Sequence, residues 1–115
     1  MIATFQIERA LIYADGSHTL ADIEAAVAKG DMQLWKGEES AIITEIKQTP
    51  QQRGILFFLA GGNLRELQAM APPILEWAKR QGCTKAEFIG RFGWQRTWLA
   101  KDGWYPRAVM MERDL

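Results

Sequence analysis

Apolar and polar positions change period several times along this chain, and each change marks an element. From Gly54 the run Ile55-Leu56-Phe57-Phe58-Leu59-Ala60 is continuously apolar, long enough for a buried strand and too short for a typical helix. Gly61-Gly62-Asn63 follows as a turn where the backbone can take positive φ or approach a ligand closely. Leu64, Leu67, Ala71, Ile74, Leu75 and Ala78 then recur at helical spacing, and Lys79-Arg80 with Gly82 supply a helix ending. Pro72-Pro73 lies inside this phase. Proline removes amide donors and costs on the order of 3 kcal/mol in a helix interior, so a kinked or split helix is expected. Thr84 to Ile89 alternates like a second strand, giving a right-handed strand–helix–strand crossover around which the chain is organised.

The flanking segments are read the same way. Residues 1–14 fit a helix through Ile2, Phe5, Arg9 and Ile12, although Ala3 to Ile7 also fits a strand. Thr19 is a good N-cap, with Asp22 three residues on, for a short helix through Leu20, Ile23, Ala26 and Val27. Asp31–Lys36 and Ser40–Ile46 form a hairpin across Gly37-Glu38-Glu39. After the crossover, Arg91 to Ala100 reads as a short helical piece, Lys101-Asp102-Gly103 as a turn, and Trp104–Glu112 as a last strand, with Pro106 suggesting an edge strand or a bulge at its start.

Composition narrows the class. At 115 residues and 48% hydrophobic, the chain makes one domain, 1–115, with a real core. Charged residues at 24% exclude a disordered composition. No apolar run reaches the roughly 18–20 residues of a membrane helix, so no membrane role and a cytoplasmic location are expected. The single cysteine, Cys83, is expected to be a small buried group. The single histidine, His18, is expected to be exposed, and no His/Cys/carboxylate spacing implies a metal.

Net charge is zero but unevenly spread: Met1–Ile46 holds eight acids and three bases, and Trp77–Arg107 seven bases and two acids. The basic end either attracts an anionic ligand or is a solvated face. Within it, Arg91-Phe-Gly-Trp-Gln-Arg96 is a candidate site: the arginines could hold phosphates or carboxylates, while Trp94 and Trp98 either wall a pocket or pack in a core or interface. Nucleic acid is not expected at zero net charge without a motif.

The order helix, helix, strand, strand, strand, helix, strand, short helix, strand resembles the GNAT acyltransferases, and three stretches carry the likeness. Gln33-Leu-Trp-Lys-Gly-Glu-Glu-Ser-Ala-Ile-Ile-Thr-Glu45 is similar to the family's second-and-third-strand hairpin. Glu76-Trp-Ala-Lys-Arg-Gln-Gly-Cys83 is like its crossover-helix ending, and Trp98-Leu-Ala-Lys-Asp-Gly-Trp104 like its turn ahead of the last strand. The chain also resembles short GNAT-like proteins of bacteriophages and prophages, which would make a virion-associated location and a phage or host protein partner additional possibilities.

The resemblance implies an α/β fold of α+β type: a mixed, splayed sheet of about five strands with N-terminal helices and a kinked crossover helix. It implies acetyl-CoA as acyl donor, lying along Leu59, Ala60, Gly61, Gly62, Asn63 and Leu64 with Trp94 and Trp98 nearby. Its pyrophosphate would rest on backbone amides at the start of the crossover helix, where unpaired N–H groups suit phosphate. Without the resemblance, Gly61-Gly62 reads first as a plain tight turn. Glu45, either a general base or a solvent-facing carboxylate, and Arg91 are the candidate catalytic residues for an amine acceptor. The chain departs from the family in its phosphate loop, Leu59-Ala-Gly-Gly-Asn-Leu64, which lacks the leading Arg or Gln, and in having Leu99 where a tyrosine acid is usual. Two readings therefore stand: an N-acyltransferase, or a non-catalytic structural or interaction module with the same fold. Either allows a homodimer through an edge strand and spare tryptophans.

Overall fold

The computed structural model describes residues 2–11, 16–90, 94 and 97–115, with side chains in the first helix described from Gln6 onward. The elements run α1 (Ile2–Leu11), α2 (Leu20–Lys29), β1 (Gln33–Lys36), β2 (Ala41–Gln48), β3 (Arg53–Gly61), α3 (Leu64–Arg80), β4 (Lys85–Glu87) and a 3-10 helix (Trp98–Asp102). The first segment is thus a helix. The strands form one sheet in the order β1-β2-β3-β4, antiparallel except for the parallel β3–β4 pair across the α3 crossover.

The sheet is covered on both faces. On one face, Ile7 and Ala10 of α1 and Ile23 of α2 pack with Met32, Ile43 and Leu59. On the other, Leu67, Ile74 and Ala78 of α3 pack with Ile42, Ile55 and Cys83. Because β2 is buried from both sides, its first four residues are an unbroken buried run, as a central strand's are.

Local signals account for the helix ends. Thr19 and Asp22 form the full capping box on α2. At the end of α3, the Cys83 amide donates to the Ala78 carbonyl and the Gly82 amide to the Lys79 carbonyl, with Gly82 at φ 87°. This is a Schellman ending, which needs the left-handed conformation that glycine takes without a Cβ penalty.

Several expectations are corrected. The α3 helix is not split: it runs unbroken through Pro72 and Pro73, held by its buried face. Among the described residues the sheet has four strands, because Trp104–Glu112 has no regular structure and is exposed from Tyr105 onward. This segment pairs with no described strand of the sheet. The strand read over Thr84–Ile89 shrinks to Lys85–Glu87. The 3-10 helix takes in Lys101 and Asp102, leaving Gly103 as its left-handed cap. The start of the segment read as helical from Arg91, including Arg91 and Arg96, lies outside the described residues. His18 is half-buried, its ring 4.7 Å from that of Phe58 in an edge contact.

Candidate functional site: the cleft between β3 and β4

The site follows from how little of β3 is paired on its outer side. Gly54, Ile55 and Leu56 pair with Lys85, Ala86 and Glu87, and there the pairing stops. Among the described residues, β3 from Phe57 to Gly61 has β2 on one side and no strand on the other. The strands therefore part, leaving a cleft of about 1340 Å³ that runs between the α1 face and the α3 face.

A β-bulge shapes its wall. Ile43 pairs with Leu59 but Thr44 pairs with Phe57, so Phe58 is an extra residue. The bulge breaks the strand's alternation. Phe57 packs with the α3-side core, whereas Phe58 and Leu59 pack with the α1-side core.

Aromatic rings line the opening. Phe57 of β3 meets Trp104 edge to face with centroids 5.7 Å apart, Trp104 meets Phe88 at 5.4 Å, and Phe88 meets Trp94 at 6.1 Å. All four line the cleft, as does Trp98. The indole Nε1 of Trp98 is buried without a hydrogen-bond partner, the one such side-chain atom among the described residues.

At the end of β3 the two glycines are held by neighbours. A Cβ on Gly61 would stand 2.8 Å from the Gln6 carbonyl oxygen of α1. Gly62 has φ 127°, and a Cβ there would run into Ser40 Oγ and stand 2.5 Å from the Glu39 carbonyl oxygen. The Asn63 amide donates to Ser40 Oγ at 2.9 Å, and its side chain caps α3 by accepting from the Glu66 amide at 3.1 Å. Of the first amides of α3, those of Leu64 and Arg65 lack an acceptor one turn back, as the first residues of any helix do. Of the loop amides read as anion-binding, that of Asn63 is therefore already taken by Ser40.

Glu66 ties this loop to the β1–β2 hairpin. Its carboxylate accepts from the amides of Glu38 at 2.8 Å and Glu39 at 2.9 Å. Hydrogen bonds from Ser40 first, then from the Glu39 and Glu38 amides, hold this carboxyl below its usual range against a weaker opposing effect of burial.

The residues expected in the site divide. Leu59, Ala60, Gly61, Gly62, Asn63, Leu64, Trp94 and Trp98 all line the cleft. Glu45 does not. It pairs with Leu56 and borders a separate hollow beside Gly30, Asp31 and Arg53. Leu99, at the position of the usual tyrosine, is buried. Arg91 lies outside the described residues. Phe88, Trp104 and Glu66 were missed. Asn63 followed three residues later by Glu66 is an N-terminal capping signal that pointed to Glu66, although its carboxylate serves the hairpin instead.

With this geometry in place, comparison with solved structures identifies the architecture. A protein from Pyrococcus furiosus assigned provisionally as an acetyl transferase superposes with a TM-score of 0.64 at 14% identity, covering 98% of this chain and 91% of that one. The fold is GNAT-like. A tetramutant of the BH1408 protein from Bacillus halodurans gives a TM-score of 0.71 at 12% identity, over 96% of this chain and 93% of its own. The TTHA1254 protein from Thermus thermophilus gives 0.63 at 11%, over 95% and 87%. No protein-family profile matches the sequence, and no curated protein does. At these identities the GNAT-like assignment is one of fold alone.

Proposed function

We propose that the cleft binds acetyl-CoA and that the protein is a GNAT-like N-acyltransferase acting on an amine. The observation that carries this reading is the outer edge of β3 from Phe57 to Gly61, unpaired among the described residues and leading directly to the start of α3. An unpaired strand edge offers amides and carbonyls to an extended, amide-bearing chain. The Leu64 and Arg65 amides, with the partial positive charge of the helix end, suit a pyrophosphate. When bound, acetyl-CoA supplies an activated acyl thioester.

The chain's own residues then bind, orient and exclude water. Phe57, Trp104 and Phe88 form an apolar wall that shields the acyl end. With Glu45 off the cleft and Leu99 in place of the tyrosine, neither familiar proton-transfer group is at hand. The acceptor therefore reacts as the free amine and gives up its proton to water at the open mouth. Loss of a positioned acid or base lowers rate by roughly 10²–10⁴-fold. The reaction is accordingly slow, and its rate climbs with pH along the acceptor's own titration.

A second reading, a non-catalytic module with this fold, is favoured by the packing of Phe57, Phe88 and Trp104 against one another in the opening. Thiol release from acetyl-CoA, measured against a panel of primary amines from pH 6 to 10, separates the two. Amine-dependent release rising with pH supports the enzyme. Binding without release supports the module.

A further inference from the structure

We propose that the indole N–H of Trp98 fixes the acyl–pantetheine arm of the ligand by donating a hydrogen bond to one of its carbonyl oxygens. The inference rests on the acyl-CoA reading of the cleft. Its starting point is Trp98 Nε1, the one buried side-chain polar atom without a partner among the described residues. A buried donor left unpaired costs stability, and native proteins hold few of them. The half-buried Trp35, by contrast, donates from Nε1 to Thr44 Oγ1 at 2.9 Å. Trp98 lines the cleft. An orphaned donor in a cleft wall is accounted for by a ligand that brings the acceptor, since local rules are broken chiefly at functional sites.

Place and chemistry narrow the acceptor. An indole N–H donates and never accepts. Trp98 opens the 3-10 helix, and that helix leads to Trp104, whose amide donates to the Leu99 carbonyl at 3.0 Å. Trp104 in turn meets Phe57. The 3-10 helix is therefore fastened at the Phe57 end of the open β3 edge, and the Leu64 and Arg65 amides lie beyond the other end. From Phe57 to Gly61 an extended strand covers about 13 Å. A ligand anchored by its pyrophosphate at the start of α3 thus presents its uncharged end to Trp98. The acceptors on that end are amide and thioester carbonyls. Phe57, Phe88 and Trp104 surround it with aromatic rings, where a buried charge would be costly.

The backbone around Trp98 is set in advance. Thr97 Oγ1 donates to the Trp94 carbonyl at 2.7 Å and accepts from the Leu99 amide at 3.4 Å, and the Leu99 side chain is buried. Solvent does not reach Nε1. A ligand entering the cleft meets it by displacing the side chains that cover it, and the bond then forms away from water, where it is strongest.

The test uses the full chain, isotope-labelled for NMR. Titration with acetyl-CoA should move the Trp98 indole N–H proton downfield. By calorimetry, Trp98→Phe should bind acetyl-CoA about fivefold more weakly than the parent, the effect of one neutral hydrogen bond. Its melting temperature should hold or rise, whereas loss of a merely structural tryptophan would lower it. Coenzyme A without the acyl group separates the two carbonyls. An equal loss for both ligands assigns the amide carbonyl, and a loss confined to acetyl-CoA assigns the thioester. If acetyl-CoA binds the parent but leaves the Trp98 indole proton unmoved, or binds Trp98→Phe as tightly, the proposal is overturned and the acyl-CoA reading stands. A folded parent that binds no acetyl-CoA overturns both.

Discussion

Phe57 and Trp104 meet edge to face across the opening of the sheet, with centroids 5.7 Å apart and planes at 85°. One ring stands on β3 and the other follows the 3-10 helix, so this contact fastens the C-terminal part of the chain to the sheet where strand pairing has ended. Trp104→Ala should cost about 2–3 kcal/mol of unfolding free energy, at the lower end for large aromatic truncations because Trp104 is only half-buried. Urea denaturation measures it.

Gly62 makes a second case. Its φ of 127° and the crowding of a Cβ by Ser40 and Glu39 both penalise any side chain. Gly62→Ala should lower stability by at least ~2 kcal/mol, whatever the cleft binds. Thermal melts without ligand check this. A larger residue there is expected to unfold the protein, so it cannot report on ligand binding.

Thr44 is fully buried, and its Oγ1 accepts from Trp35 Nε1 at 2.9 Å and donates to Gln33 Oε1 at 2.8 Å. Thr44→Val keeps the shape and strands the indole donor. The expected loss is about 1–3 kcal/mol, read by denaturant titration. Trp98 gives the opposite sign. Trp98→Phe removes a buried donor that has no acceptor, so stability should hold or rise by up to ~1 kcal/mol.

Glu66 sets a pH dependence. Its folded-state pKa is depressed, so its contribution is present above the unfolded value and lost as pH falls through the folded one. Glu66→Gln should lower the melting temperature at pH 7. The gap to the parent should shrink as pH drops below about 4.5, the ordinary glutamate range. A gap unchanged at pH 3 would show that the carboxylate's charge is not what holds the hairpin.

Much of this was legible in the chain. Thr19 with Asp22, and Gly82 after Lys79-Arg80, are local signals and produced the ends they announce. The unbroken apolar run in β3 and the stripe along α3 placed the crossover. Long-range facts were hidden. That Gly61 and Gly62 are fixed by Gln6 and Ser40 depends on elements 20 or more residues away in sequence. Glu45's distance from the cleft depends on where the β3–β4 pairing stops and on the bulge at Phe58, neither of which leaves a mark on composition. Trp104–Glu112 has the pattern of a strand but pairs with no described strand of the sheet, and pattern alone does not tell whether it will.

The account turns on whether the cleft takes acetyl-CoA at the start of α3. Leu64→Pro tests this on a folded protein. Proline suits the first helical position, and Asn63 before it already has the extended conformation proline requires, φ −82° and ψ 126°. The change removes the Leu64 amide, together with a leucine side chain at the rim of the cleft. Calorimetric titration should show micromolar binding of acetyl-CoA to the parent and about tenfold weaker binding to Leu64→Pro, the ~1.4 kcal/mol of one charge-assisted hydrogen bond. No heat from the folded parent at millimolar acetyl-CoA would contradict the acyl-CoA reading outright.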